Sequence, residues 1–302
     1  MNLLRLIQYL PVKKTALLLF GMIVFGKSIA QNTTVCYFNE QLQLVDKSDA
    51  AFEGRIIKTP NLWEAFALYS DGRTLMHGFF KDNRLTVKQG EYSLYYPSGK
   101  LHARTFFKEG IMDSAFAGWY ENGNISDSGY MRRSLKAGLW KTWYEDGSLE
   151  SEGSYLDGKP DSIWHWYHPN KKPSTIELYR KSKLSDLSCF DTLGKNTGSN
   201  CRIDKKPCPD RYPSFDQYVI NNLFYPKQAL RNGIEGMVSF EFFISKQGKL
   251  TRINFTNASN DLLQQEVVRL LKAVNKWEPA VSHNREIDYL YTYEVPFYRQ
   301  RE

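Results

Sequence analysis

The chain has 302 residues, 42% of them hydrophobic and 24% charged, a balance that excludes global disorder and leaves room for about two domains. Its formal charge of +7 is concentrated at the start: residues 1–30 hold Arg5, Lys13, Lys14 and Lys27 and no acid, so the remainder carries +3, interspersed with Asp and Glu. That dilution argues against a nucleic-acid partner. Tyr 19, Phe 18 and Trp 7 are an aromatic excess that favours strands, where flat rings pack on a pleated surface.

In chain order, the basic start through Lys13-Lys14 is followed by an apolar run from Ala16 to Gly26 and by the small-residue site Ser28-Ile29-Ala30. The run is well short of the roughly 20 apolar residues a spanning helix needs. Residues 1–30 therefore read as a cleaved signal peptide, with the mature chain starting at Gln31 in the periplasm or cell envelope. An uncleaved segment anchored in the inner membrane is the alternative. Residues 31–59 are a lead-in.

Residues 60–195 repeat themselves. Tyr69-Ser-Asp-Gly72, Tyr96-Pro-Ser-Gly99, Tyr120-Glu-Asn-Gly123, Tyr144-Glu-Asp-Gly147 and Tyr167-His-Pro-Asn170 are followed by a degraded copy at Asp191-Thr-Leu-Gly194, at spacings of 27, 24, 24, 23 and 24 residues. A fixed period of this size signals stacked repeats. Asn-Gly and Asp-Gly supply the positive φ of tight hairpin turns, so the predicted unit is strand, turn, strand. Gly78, Gly129 and Gly153, six residues after their turns, predict a bend or bulge where hairpins stack closely. Trp140, Trp143, Trp164 and Trp166 read as the packing of an open sheet.

This pattern resembles MORN repeats, in particular the bacterial variant of antitoxin-like proteins, with Gly138-Leu-Trp-Lys-Thr-Trp-Tyr-Glu-Asp-Gly147 as the best copy. The resemblance implies a β-rich hairpin array used as a scaffold or interaction surface.

Residues 196–209 mix Lys, Asn, Ser, Gly and Pro with Cys201 and Cys208 and read as a linker. Cys36 lies far from the other three cysteines, so a disulfide among Cys189, Cys201 and Cys208 is expected, its pairing open.

From residue 210 the pattern changes. Pro213 to Leu223 predicts a short helix capped by Ser214. Val238, Phe240, Phe242 and Ile244 alternate with more polar neighbours across a strand from Gly236 to Ser245, Lys246–Lys249 turns, and Leu250–Thr256 returns as a second strand. Asp261 opens a helix whose Leu262, Leu263, Val267, Leu270, Leu271 and Val274 recur at helical spacing. A final strand is predicted over Glu286–Tyr298.

Tyr225-Pro226 with Ala229, Gly233-Ile-Glu-Gly-Met-Val238, Gly248, Trp277 with Pro279-Ala280, and Val295-Pro-Phe297 together resemble the C-terminal domain of TonB. The resemblance implies that residues 210–302 are an α+β domain, a small antiparallel sheet with two helices, which binds an extended segment of an outer-membrane TonB-dependent receptor or another envelope protein as an added strand. The partner-binding candidates are Tyr225, Pro226, Ile287, Tyr289, Tyr291 and Tyr293, and Gly236, Trp277 and Pro279 are structural. A homodimer stays open, and membrane contact is expected only through the partner. The family's Pro-rich spacer has no counterpart here. The alternative function is a MORN-repeat scaffold or antitoxin-like binding protein acting through its aromatic hairpins.

No Gly-x-Ser-x-Gly, His-Glu-x-x-His, Walker or dinucleotide motif occurs. A non-enzymatic protein without cofactor or metal is expected.

Overall fold

The computed structural model describes residues 33–257 and 259–299; the predicted signal peptide lies outside them. The chain forms two compact units. One takes the chain through Lys171 together with Ile176–Asp186, the other Lys172–Thr175 and the chain from Leu187.

A meander of antiparallel strands builds the first unit, its last two strands giving residues 173–175 and 187–190 to the second. These are β1 (Thr33–Phe38), β2 (Phe52–Lys58), β3 (Trp63–Leu68), β4 (Thr74–Phe80), β5 (Lys88–Tyr95), β6 (Leu101–Lys108), β7 (Ile111–Met112), β8 (Ser114–Trp119), β9 (Ile125–Arg132), β10 (Leu135–Trp143), β11 (Leu149–Leu156), β12 (Lys159–Tyr167), β13 (Pro173–Arg180) and β14 (Lys183–Phe190). Each pairs with the next in sequence, except that β7 sits beside β6 and β6 continues to β8. The predicted hairpin array is therefore present as one continuous sheet.

The Tyr-x-x-Gly hairpins share one turn, while those between them, such as Arg133-Ser134 and Asp157-Gly158, are two-residue turns with both residues at positive φ. The Gly123 N–H donates to the Tyr120 carbonyl at 2.9 Å and the Tyr120 N–H to the Asn124 carbonyl at 2.8 Å. Only the glycine, with φ of 95°, is left-handed, and the strand register slips beside it, between Gly118 and Trp119. This is a type I turn closed by a glycine bulge, a longer loop than the two-residue turn that Asn-Gly suggests. Gly72, Gly99 and Gly147 repeat the bond to Tyr69, Tyr96 and Tyr144.

The fifth copy starts one residue later than its sequence match. The Lys171 N–H donates to the His168 carbonyl at 2.8 Å, and Lys171 takes the glycine's place with φ of 68°. His168, not Tyr167, holds the turn position, because backbone geometry sets the period and the Tyr-Tyr-like look of Trp166-Tyr167 does not.

The second set of glycines makes room for rings. A Cβ on Gly129 would lie 2.2 Å from the Trp140 indole, one on Gly153 2.1 Å from Trp164, and one on Gly78 2.6 Å from Tyr92. Each ring lies flat on the glycine of the preceding strand. The Trp140 Nε1–H then donates to the Tyr130 carbonyl at 3.1 Å and the Trp164 Nε1–H to the Ser154 carbonyl at 2.9 Å, so each indole is satisfied one residue past its glycine. The register also slips beside Gly78 and Gly153, as a bulge would require.

In the second unit, β15 (Asn196–Gly198) pairs with the end of β14, and Cys189 is bonded to Cys201 with the Cα atoms 6.1 Å apart. Cys208 is a buried free thiol, as is Cys36 in the first unit. Two short strands, β16 (Asp204–Lys205) and β17 (Cys208–Pro209), lead into helix α1 (Phe215–Asn222), helix α2 (Lys227–Arg231), β18 (Gly236–Ile244), β19 (Leu250–Phe255) and helix α3 (Asp261–Lys272). The chain finishes with β20 (Trp277–Glu278), β21 (Ala280–Ser282), β22 (Arg285–Ile287) and β23 (Tyr289–Phe297).

The Ser214 hydroxyl caps α1 by accepting the Gln217 N–H at 3.2 Å, as its position predicts. Val238, Phe240, Phe242 and Ile244 are all buried and face Leu263, Val267, Leu270 and Leu271 of α3.

Two features depart from the sequence reading. Besides the two predicted helices there is a third, α2, which starts directly after Pro226, whose fixed φ suits a helix N-terminus. The single final strand predicted over 286–298 is divided: β22 turns back on β21, with Ile287 opposite Ala280, and β23 begins after Asp288. His283 and Asn284 both take positive φ, 49° and 62°, a hairpin turn built without the glycine that usually marks it.

Candidate functional site

The sheet of the second unit runs β19-β18-β23, which leaves β23 on an edge. Its nine residues pair with β18 from Gly236 opposite Phe297 to Ile244 opposite Tyr289.

The phase of that pairing follows from the other side of β18. The Ser239 carbonyl accepts the Thr256 N–H at 2.9 Å, the Ser239 N–H is given to Asn257 Oδ1 at 3.2 Å, and the Met237 carbonyl accepts Asn257 Nδ2–H at 2.8 Å. Met237 and Ser239 thus turn their main-chain groups towards β19. In an antiparallel ladder alternate residues face opposite neighbours, so it is Val238, Phe240 and Phe242 that bond to β23. Their partners are Val295, Tyr293 and Tyr291. The residues between, Leu290, Thr292, Glu294 and Pro296, turn their main-chain groups off the open edge. Pro296 fits this phase, because proline has no N–H to give and is tolerated on an edge only where its nitrogen faces away from the ladder. The edge therefore offers three N–H donors, at 290, 292 and 294, none of which has a partner strand among the described residues.

The predicted tyrosines pack towards the helices. Tyr291 is buried and stacks on Phe242, the ring centroids 4.7 Å apart, and its hydroxyl donates to the Pro207 carbonyl. Tyr293 packs edge-on to Phe215 of α1 at 4.9 Å and donates its hydroxyl to Asp216 Oδ1 at 2.7 Å. Burial pushes both phenols above the ordinary range, and for Tyr293 the bond to Asp216 adds to it. Tyr289 packs against the core and edge-on to Tyr291 at 4.9 Å. These rings pack β23 against the helices, while its main chain faces the open edge. Ile287 lies on β22, outside this edge.

Tyr225 and Pro226 are set at the junction of α1 and α2. The Tyr225 hydroxyl donates to the Ile234 carbonyl at 2.6 Å and its ring meets Phe297, the last residue of β23, edge-on at 5.6 Å. The junction is pinned by Glu266, nearly buried, which accepts the Phe224 N–H at 2.8 Å and two bonds from the Arg269 guanidinium at 2.7 and 2.6 Å. Nothing in the spacing of Glu266 and Arg269 separates this pair from an ordinary helical ion pair.

Trp277 is buried between Phe215 and Phe242, at 5.5 and 5.6 Å. Gly248, in the turn between β18 and β19, has φ of 72°, and a Cβ there would strike the Trp277 carbonyl oxygen at 2.2 Å and touch Pro279 at 3.9 Å. Gly236 opens β18 opposite Phe297.

Among the described residues no group of three or more His, Cys, Asp or Glu side chains is placed to hold a metal, and no helix is long and apolar enough to cross a membrane.

Residues 221–298 match the family described as Gram-negative bacterial TonB protein C-terminal. Residues 88–109 and 136–157 match the MORN repeat variant. Both are non-enzymatic families. No curated protein matches the chain.

Proposed function

We propose that this chain, MORN-variant repeats followed by a TonB-like C-terminal domain, is a cell-envelope protein that binds an extended segment of an outer-membrane receptor by strand addition at β23. The observation that carries this reading is the open edge with outward N–H groups at Leu290, Thr292 and Glu294. An incoming strand satisfies such groups with its own main chain, while its alternate side chains set the register. The repeats, with their rings already packed on glycines, serve as a stiff carrier for the binding domain.

The test uses the full chain immobilised and the periplasmic N-terminal segment of a TonB-dependent receptor as the probe. Retention is expected, and it is expected to be lost in Thr292→Pro, which removes an outward donor at a position whose phase tolerates proline as Pro296 does. Retention unchanged in that variant, or no retention by the parent, would overturn strand addition at this edge.

A further inference from the structure

The edge has a sign. The two segments that frame it, residues 212–226 with α1 and residues 286–298 with β23, contain Asp216, Glu286, Asp288 and Glu294 and no Lys, Arg or His. This stands out in a chain whose formal charge is +7. Of the cations on adjoining elements, Arg269 is engaged with Glu266 at 2.6 Å and Arg299 with Glu235 at 3.4 Å, whereas Lys227 and Arg231 lie on α2, after the junction.

Glu294 is the carboxylate best placed to read a partner. It is exposed, it belongs to the set whose main chain faces off the edge, and its Oε1 is held by the Ser239 hydroxyl at 3.0 Å, which leaves Oε2 without a bond among the described residues. In antiparallel addition the residue directly opposite Glu294 puts its side chain on the same face, with Cβ atoms about 5.5 Å apart. Leu290 and Thr292 lie on that face too, the Thr292 hydroxyl bonded back to Glu241 at 3.4 Å. Asp216, bonded to the Tyr293 hydroxyl, lies on the opposite, helix-facing side of the sheet, so Glu294 alone supplies the charge on the outer face of β23. Beyond Glu294, Pro296 offers no donor, so the ladder ends there and the position opposite Glu294 falls at one end of the added strand.

Resting on the strand-addition reading, we infer that Glu294 is a specificity-determining residue of this site and that the occupant is a short extended segment carrying a lysine or arginine opposite it, near the end of the added strand. The carboxylate attracts a cation across the strand pair and repels an acid, and the repulsion contributes to selection as much as the attraction does. Because the pair is exposed, the preference weakens with salt.

The experiment measures binding of two nine-residue acetylated peptides of alternating valine and threonine to the full chain by fluorescence anisotropy. One peptide has lysine and the other glutamate at the position next to the end. At low salt the lysine peptide is expected to bind about five-fold more tightly. Glu294→Gln should make the two peptides equal, and Glu294→Lys should reverse their order. Equal binding of both peptides to the parent, with Thr292→Pro abolishing both, would overturn the charge inference and leave strand addition standing. Binding of the lysine peptide that survives Thr292→Pro would overturn both, since the contact would then lie elsewhere. No binding of either peptide would also overturn both, and would mean that Glu294 and Pro296 only guard an edge against pairing.

Discussion

The hydroxyl of Tyr120 donates a 2.7 Å hydrogen bond to the carbonyl oxygen of Trp143, the residue just before the next turn tyrosine. Tyr69 does the same to Tyr95 at 2.8 Å, Tyr96 to Trp119 at 2.7 Å and Tyr144 to Tyr167 at 2.6 Å. One hairpin is thus fastened to the next by a side chain at a fixed place in each period, which is how a stack that touches only its nearest neighbours gains stiffness. Tyr120→Phe keeps the ring and removes the donor. It is expected to lower the stability of the array by roughly 1 kcal/mol, measured by urea denaturation, and an unchanged midpoint would contradict this role.

Gly153 is filled by its neighbour. Because a Cβ there would lie 2.1 Å from the Trp164 indole, Gly153→Ala has to push the ring off the strand. A loss of about 1–3 kcal/mol is expected, together with red-shifted tryptophan emission and easier quenching by iodide. Full stability with unchanged emission would show that the ring needs no glycine beneath it.

Ser162 has φ of 60° two residues before Trp164, where Gly138 has φ of 64° before Trp140 and Gly90 has φ of 86° before Tyr92. Left-handed backbone costs an L-residue about 1–2 kcal/mol, part of which glycine returns as lost chain entropy. Ser162→Gly should therefore stabilise the array by roughly 0.5 kcal/mol, read as a higher urea midpoint. A lower midpoint would contradict it.

The turn tyrosines also make the array sensitive to alkali. Burial, reinforced by nearby carboxylates, pushes Tyr69, Tyr96 and Tyr120 up to about 12. With folded values above the unfolded value near 10, the native state holds protons that the unfolded chain has lost. Their contribution is complete below about pH 10 and disappears as pH rises through about 12. Thermal melts across that window should fall, and Tyr96→Phe should flatten the fall; a profile independent of pH between 10 and 12 would contradict this.

Much of this could be read from the chain because the signals are local. The Tyr-x-x-Gly period marks turns whose bonds span three residues, and Val238 to Ile244 alternate because one face meets α3. Ser214 and Asp261 sit where helix ends need them. What escaped depends on partners far away in sequence. Trp164 on Gly153 and Tyr120 on Trp143 are both periodic, yet only the register reveals which atoms meet. Only Asp288 separates β22 from β23, with no glycine or proline to mark the break, so the two read as one strand. At the site, Tyr291 is buried and Tyr293 half-buried against α1, while the main chain of Leu290, Thr292 and Glu294 faces out, a phase that the register reveals. Pro296, visible in the sequence from the start, was the available clue to that phase.

The most direct test of the account is amide hydrogen exchange, read residue by residue by NMR on the full chain with and without a receptor segment. Selective slowing of exchange at Leu290, Thr292 and Glu294 on binding is the expected result, with Tyr291 and Tyr293 already protected in the free protein. Binding that leaves those three amides exchanging as before would contradict strand addition at β23.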